Sequence, residues 1–124
     1  MKNQVIIYDL ETTGLNIKRD KIVEIYLYNV EQQTCKHILI NPEMNIPPES
    51  IKIHGLTNLD LQKKPLFKEI VEDIYDFVGT EPYMISHNNI AFDKPFLESE
   101  MKRAKLQTPT DWKFIDTLHI ARKL

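Results

Sequence analysis

A run of apolar residues, Val5-Ile6-Ile7-Tyr8, passes directly into the acidic stretch Asp9-Leu10-Glu11. This junction constrains the fold more than any other feature of the chain. Val, Ile and Tyr in succession favour a buried strand. Strand side chains alternate between faces, so Asp9 and Glu11 share one face. Two carboxylates side by side at the end of a buried strand repel each other and resist loss of hydration. Either the strand end reaches water, or a hard cation with oxygen ligands offsets the charge. Thr12, Thr13 and Gly14 then turn the chain, setting hydroxyls and open backbone beside the carboxylates.

The 124 residues, 42% hydrophobic and 27% charged, suit one globular domain over residues 1–124 with a modest core. A formal net charge of −2 excludes the global basic field of a non-specific DNA coater, so any nucleic-acid contact is local or metal-mediated. The single cysteine, Cys35, excludes an intramolecular disulfide and a thiolate metal cluster, and fits a reducing compartment. No apolar run approaches a signal segment or a membrane span, so an intracellular, cytoplasmic protein without a membrane partner is expected.

Along the chain, Asn16–Lys21 reads as a charged loop. Ile22–Val30 and Thr34–Ile40 read as strands of an antiparallel hairpin. Three prolines make Asn41–Pro48 an extended connector. Glu49–His54 forms one helical turn ended by Gly55, and Leu56–Lys64 is polar with scattered leucines. Phe67, Ile70, Val71, Ile74, Phe77 and Val78 make one apolar stripe, which predicts a helix over Pro65–Val78 stopped by Gly79. Tyr83–Ser86 reads as a short buried strand and His87-Asn88-Asn89 as a polar turn. Asp93–Lys105 reads as a helix facing inward through Phe96, Leu97, Met101 and Ala104. After the loop Gln107–Asp111 come a last strand, Trp112–Ile115, and a third helix, Asp116–Leu124. Strands first, then helices alternating with short strands, predict an α/β fold with a mixed sheet. By itself, Asp93 before Lys94-Pro95 reads as an N-cap. Metal ligation is compatible with that, because a carboxylate has several lone-pair sites.

Three blocks in order, DLETTGL (9–15), IHGLT (53–57) and SHNNIAFD (86–93), resemble the DEDD superfamily of 3′–5′ exonucleases, and more narrowly its DnaQ-like, proofreading-subunit type. The joint match spans nearly the whole chain and is far more specific than any one block. The resemblance implies a ribonuclease H-like fold, a mixed sheet of about five strands with flanking helices, incomplete at the C-terminus. It implies that Asp9 and Glu11, on the central strand, and Asp93, at a helix start, are catalytic metal ligands that converge in space. The cofactor implied is Mg²⁺ or Mn²⁺, two ions in the complete family site. Thr12 and Thr13 would contact the 3′ end, His54 and Leu56 would lie beside the terminal nucleotide, and Phe92 would wall the site. The activity implied is two-metal hydrolysis at a single-stranded 3′ end, of DNA or RNA, in replication or repair, with a DNA polymerase as a partner. Taken singly, Leu56 reads as core and His54 as a helix-end residue. Lys18, Arg19 and Lys21, like Lys102, Arg103 and Lys105, read as solvated faces that could touch phosphates.

One departure stands out. The family's last motif is a His, four residues, then Asp. Asp116-Thr117-Leu118 resembles the stretch that precedes it, and His119 has no Asp at that spacing. Asp116 reads as an N-cap. The resemblance therefore implies three of the four family carboxylates and no general base. The expectations are an impaired nuclease, a non-catalytic interaction module on the same fold, or a piece of a longer reading frame.

Overall fold

The computed structural model, which describes residues 3–123 and side chains as far as Ile120, centres on strand β1 (Val5–Thr12). β2 (Ile22–Asn29) pairs antiparallel with β1, and β3 (Thr34–Leu39) antiparallel with β2. β4 (Tyr83–Ser86) and β5 (Lys113–Asp116) run parallel to β1 on its other side. The sheet is five-stranded and mixed, in the order β3-β2-β1-β4-β5. The predicted hairpin is present. Trp112 precedes the last strand instead of opening it, because its side chain is buried in the core.

α1 (Pro48–His54) ends at Gly55, whose φ of 74° lies in the left-handed region that glycine enters freely. α2 (Asn58–Leu61) lies within the stretch that reads as polar with scattered leucines. A reciprocal capping box of Thr57 and Asp60 stabilises it. α3 (Phe67–Val78) buries the predicted stripe, except that Phe77 sits at the margin of the core. α4 (Lys94–Arg103) buries Phe96, Leu97 and Met101. α5 (Thr117–Lys123) occupies the predicted third helix, of which Leu124 lies outside the described residues. Among the described residues no helix is long and apolar enough to cross a membrane.

The principal core joins Ile6, Tyr8 and Leu10 of β1, with Ile25 and Leu27 of β2, to the buried faces of α3 and α4. Val23, Ile46 and Leu61 form a smaller cluster under α1 and α2. α4 is also braced by polar groups. Glu100, buried, accepts the Ile22 N–H at 3.1 Å and an Arg103 guanidinium N–H at 2.9 Å. Arg103 donates onward to the carbonyls of Ile17 (3.2 Å) and Lys18 (3.0 Å). Arg103 is thus committed to holding α4 against the loop after β1, and is not a free phosphate contact.

Candidate active site

Ladder register sets Asp9 opposite Tyr26 and Glu11 opposite Glu24, on the sheet face turned away from α3 and α4. Like charges directly opposite on a ladder repel. Glu24 is hydrogen-bonded to His37 of β3, which supplies it with a partner of its own. A bulge between Glu11 and Thr12 breaks the ladder at that point. Burial and the Asp9 charge hold the Glu11 carboxyl above its ordinary range, with Glu24 adding and His54 opposing.

Asp93, far along the sequence, comes within electrostatic reach of Asp9 and Glu11. It is not an N-cap. Helical backbone already begins at a π-helical turn, Asn89–Asp93, and Asp93 has φ −64° and ψ −47° with no capping bond. Its carboxylate is therefore not engaged by the helix end. Burial pushes this carboxyl up to about 7, helped by the charges of Asp9, Asp116 and Glu11, while the Ser86 hydroxyl nearby works the other way. That hydroxyl is itself buried without a well-formed hydrogen bond.

A polar network holds the π-helical turn. Asn88 has φ 61°, a conformation that Asn tolerates better than most residues. Asn89, fully buried, donates to the carbonyls of Met84 (2.9 Å) and Ile115 (3.0 Å) and accepts from the Tyr8 hydroxyl. One side chain so ties β1, β4 and β5 together. Asp116 accepts the N–H groups of Ile90 (3.1 Å) and Leu118 (2.9 Å). Burial alone would raise its carboxyl, but these backbone donors bring it below its ordinary range. Asp116 is the expected N-cap of α5, and it also clamps the turn that carries Asp93.

A cavity of about 390 Å³ opens beside Glu11. Thr12, Thr13, His54 and Phe92 line it, so three blocks distant in sequence meet around one space. Phe92 is steadied by Phe96, ring centroids 4.7 Å apart. Leu15 and Ile53 stand at this cavity 83% and 81% exposed. Asp9 and Asp93 do not belong to the cavity wall and adjoin it through Glu11. Leu56 is not in the wall either. It packs against the cluster of Val23, Ile46 and Leu61, because the left-handed Gly55 redirects the chain after α1. Ile53, three residues earlier, takes the apolar place beside His54.

Two wall residues differ in what they offer a ligand. Thr13 is buried and engaged internally: its hydroxyl donates to Asp20 (3.0 Å) and accepts from the Lys21 N–H (3.1 Å). Its carbonyl accepts from Ser50 at 2.6 Å. His54 has a free valence. Nδ1 accepts the Leu56 N–H at 3.0 Å, which leaves the proton of the neutral ring on Nε2. Nε2 is buried and has no hydrogen-bond partner among the described residues, so it is free to donate to a bound group or water.

Three acids from two distant segments could supply an oxygen-only donor set, the kind that suits a hard divalent cation. The Asp9 charge raises the proton affinity of Glu11 and of Asp93, and the Glu11 charge adds to that of Asp93, so a cation would relieve them. Yet no three such side chains among the described residues close into a ready cage.

Asp20, Ser50, Asn89 and Glu100 support the site without any sign in the sequence that they are buried. Asp20 lies in a run of charges that reads as a solvated loop. Asn89 falls in the stretch that reads as a polar turn.

The exonuclease (RNase T) family model matches residues 6–124. DNA polymerase III subunit epsilon of Haemophilus influenzae is 32% identical over 133 residues, covering 98% of this chain and 51% of that protein. The same subunit of Rickettsia prowazekii is 37% identical over 127 residues, covering 96% and 55%. The chain spans about half the length of these curated relatives. Escherichia coli exonuclease I in complex with a 5cy-dA13 oligonucleotide superposes with a TM-score of 0.85 at 16% identity, over 98% of this chain and 30% of that one. The zinc-bound form of the exonuclease I–ssDNA complex gives 0.86 at 17% identity, over 99% and 30%. At such identities the likeness is one of fold. With its first sequence block on the central strand, its second at the end of α1 and its third on the turn before α4, this chain belongs to the DnaQ-like DEDD exonuclease family and has that family's ribonuclease H-like fold.

Proposed function

We propose that this chain is a divalent-metal-dependent 3′–5′ exonuclease domain that binds a single-stranded DNA 3′ end. One observation carries the reading: Glu11, Thr12, His54 and Phe92, from three separate blocks, line a single cavity beside the Asp9–Glu11–Asp93 cluster. In this reading Asp9, Glu11 and Asp93 would hold Mg²⁺ or Mn²⁺, which would supply an activated water and stabilise the leaving 3′ oxygen. His54 donates its Nε2 proton to an oxygen of the terminal nucleotide. Leu15 and Ile53 cover the faces of its base, a contact that gains from burying exposed apolar surface. Arg19, at the same cavity, offers positive charge to a phosphate. The names of the polymerase epsilon relatives favour DNA over RNA and a polymerase as partner.

Turnover by these residues is slow, because they contain no His-x-x-x-x-Asp to provide a base. A missing general base typically costs about 10²–10⁴ in rate. The test is release of nucleotides from a 3′-labelled single strand in Mn²⁺, together with thermal melts with and without Mn²⁺. The expected result is slow release abolished by Asp93→Ala, and a Mn²⁺ stabilisation that disappears in Asp9→Ala. No release and no stabilisation, in this chain and in a version extended through the downstream reading frame, would overturn the reading.

A further inference from the structure

The loop from Thr12 to Lys21 forms one rim of the cavity, and its own interior is built around a carboxylate. Asp20 is only 2% exposed, although Lys18, Arg19 and Lys21 surround it in sequence. Its Oδ1 accepts from the Thr13 hydroxyl at 3.0 Å and its Oδ2 from the Asn16 N–H at 2.9 Å. The exposed Arg19 guanidinium also lies 3.7 Å from Oδ2, and a buried carboxylate with two hydrogen-bond donors is fixed in place, since losing either leaves charge unsatisfied. Thr13, so gripped, is held from the other side by Lys21, whose carbonyl accepts the Thr13 N–H at 2.8 Å. Ser50 of α1 donates to the Thr13 carbonyl, so the same loop is tied to the helix that carries His54.

Gly14 shows how closely the carboxylate is packed. A Cβ built on Gly14 would lie 2.4 Å from Asp20 Oδ2 and 2.8 Å from its Cγ. Gly14 is not among the glycines with positive φ, so glycine is needed here for space and not for backbone freedom. Thr12 closes the turn by donating to the Gly14 carbonyl at 2.6 Å. Asp20, Gly14 and Thr13 thus act as one unit whose outer surface is the cavity wall from Thr12 to Leu15.

We infer that Asp20 is a positioning residue for the 3′-terminal nucleotide: its carboxylate sets the shape of the Thr12–Leu15 wall, and affinity for the 3′ end depends on it while metal binding does not. The inference rests on the reading of the cavity as a 3′-end site. A fluorescent single-stranded oligonucleotide with a free 3′ hydroxyl, titrated in Ca²⁺ to suppress hydrolysis, reads the affinity. The Mn²⁺ shift in melting temperature reads the metal cluster. Asp20→Asn and Thr13→Val should each weaken oligonucleotide binding about tenfold, the size expected on losing a hydrogen bond to a charged group, with the Mn²⁺ shift unchanged. Gly14→Ala should weaken binding similarly in the native background and add nothing in an Asp20→Gly background, where the clash is absent. Retained affinity in Thr13→Val and Asp20→Asn would overturn the inference. So would affinity and Mn²⁺ shift lost in parallel, or a Gly14→Ala effect independent of residue 20. A native chain that binds no oligonucleotide would instead overturn the reading of the cavity, and the inference with it.

Discussion

The two faces of β1 are made by alternate residues of one strand and have opposite fates. Ile6, Tyr8 and Leu10 are closed off beneath α3 and α4. Ile7 is 46% exposed on the other face, and Tyr26, the ladder partner of Asp9, is 42% exposed. Near the start of β2, α1 and α2 cover part of that second face through Val23, Ile46 and Leu61. The cavity and the acidic cluster adjoin the boundary between covered and uncovered parts. Apolar burial stabilises the first face, whereas charge, left accessible to ligands, characterises the second. A strand that is apolar on both faces over Val5–Tyr8 therefore does not say which face will be closed.

Substitutions on the two faces should separate these roles. The largest effect falls on the closed face. Phe96→Ala, at a fully buried site in the core that encloses the closed face of β1, should destabilise by about 3–5 kcal/mol in urea or guanidinium unfolding. A loss under 1 kcal/mol would mean that the helical face closes more loosely than its packing implies.

Next comes Asp93, where the two environments meet. Its carboxyl is raised from 3.8 to about 7 in the fold, so between those values the native state holds a proton that the unfolded chain has released. Metal-free stability should therefore fall as pH rises across that window and level off above it. Asp93→Asn should flatten this slope and add on the order of 1–3 kcal/mol at pH 8 without metal, while abolishing the Mn²⁺ stabilisation. An unaltered slope in the variant would assign the titration to another group.

Asp116→Ala should cost about 1 kcal/mol, as for loss of an N-cap. It should also reduce the Mn²⁺ shift, because the clamp on Ile90 N–H is lost together with that on Leu118. If stability falls while the Mn²⁺ shift is intact, the turn carrying Asp93 stands without the clamp. The smallest effect belongs to the open face: Ile7→Ser should change stability by no more than about 0.5 kcal/mol. A loss near that of Phe96→Ala would show that Ile7 is covered in solution.

The sequence by itself determined the order of strands and helices apart from α2 and the π-helical turn, the apolar stripe of α3, the inward residues of α4 and the shared face of Asp9 and Glu11. These follow from local periodicity and from chain stops such as Gly55 and Gly79, which act over a few residues. It also carried the family, since three ordered blocks survive in linear form. The tertiary structure alone decided that Asp93 is not a cap, because the helical path starts four residues earlier at a turn held by Asn89 and Asp116. It decided that Ile53 rather than Leu56 faces the cavity, and that Asp20 is buried among lysines and arginine. Each of those outcomes depends on a partner far away in the chain: Ile115 for Asn89, Val23 for Leu56, Ser50 for the Thr13 that Asp20 grips. A hydrogen bond or apolar contact across such a separation leaves no local pattern, so polarity along the chain shows which residues can carry charge but not which of them the fold will bury.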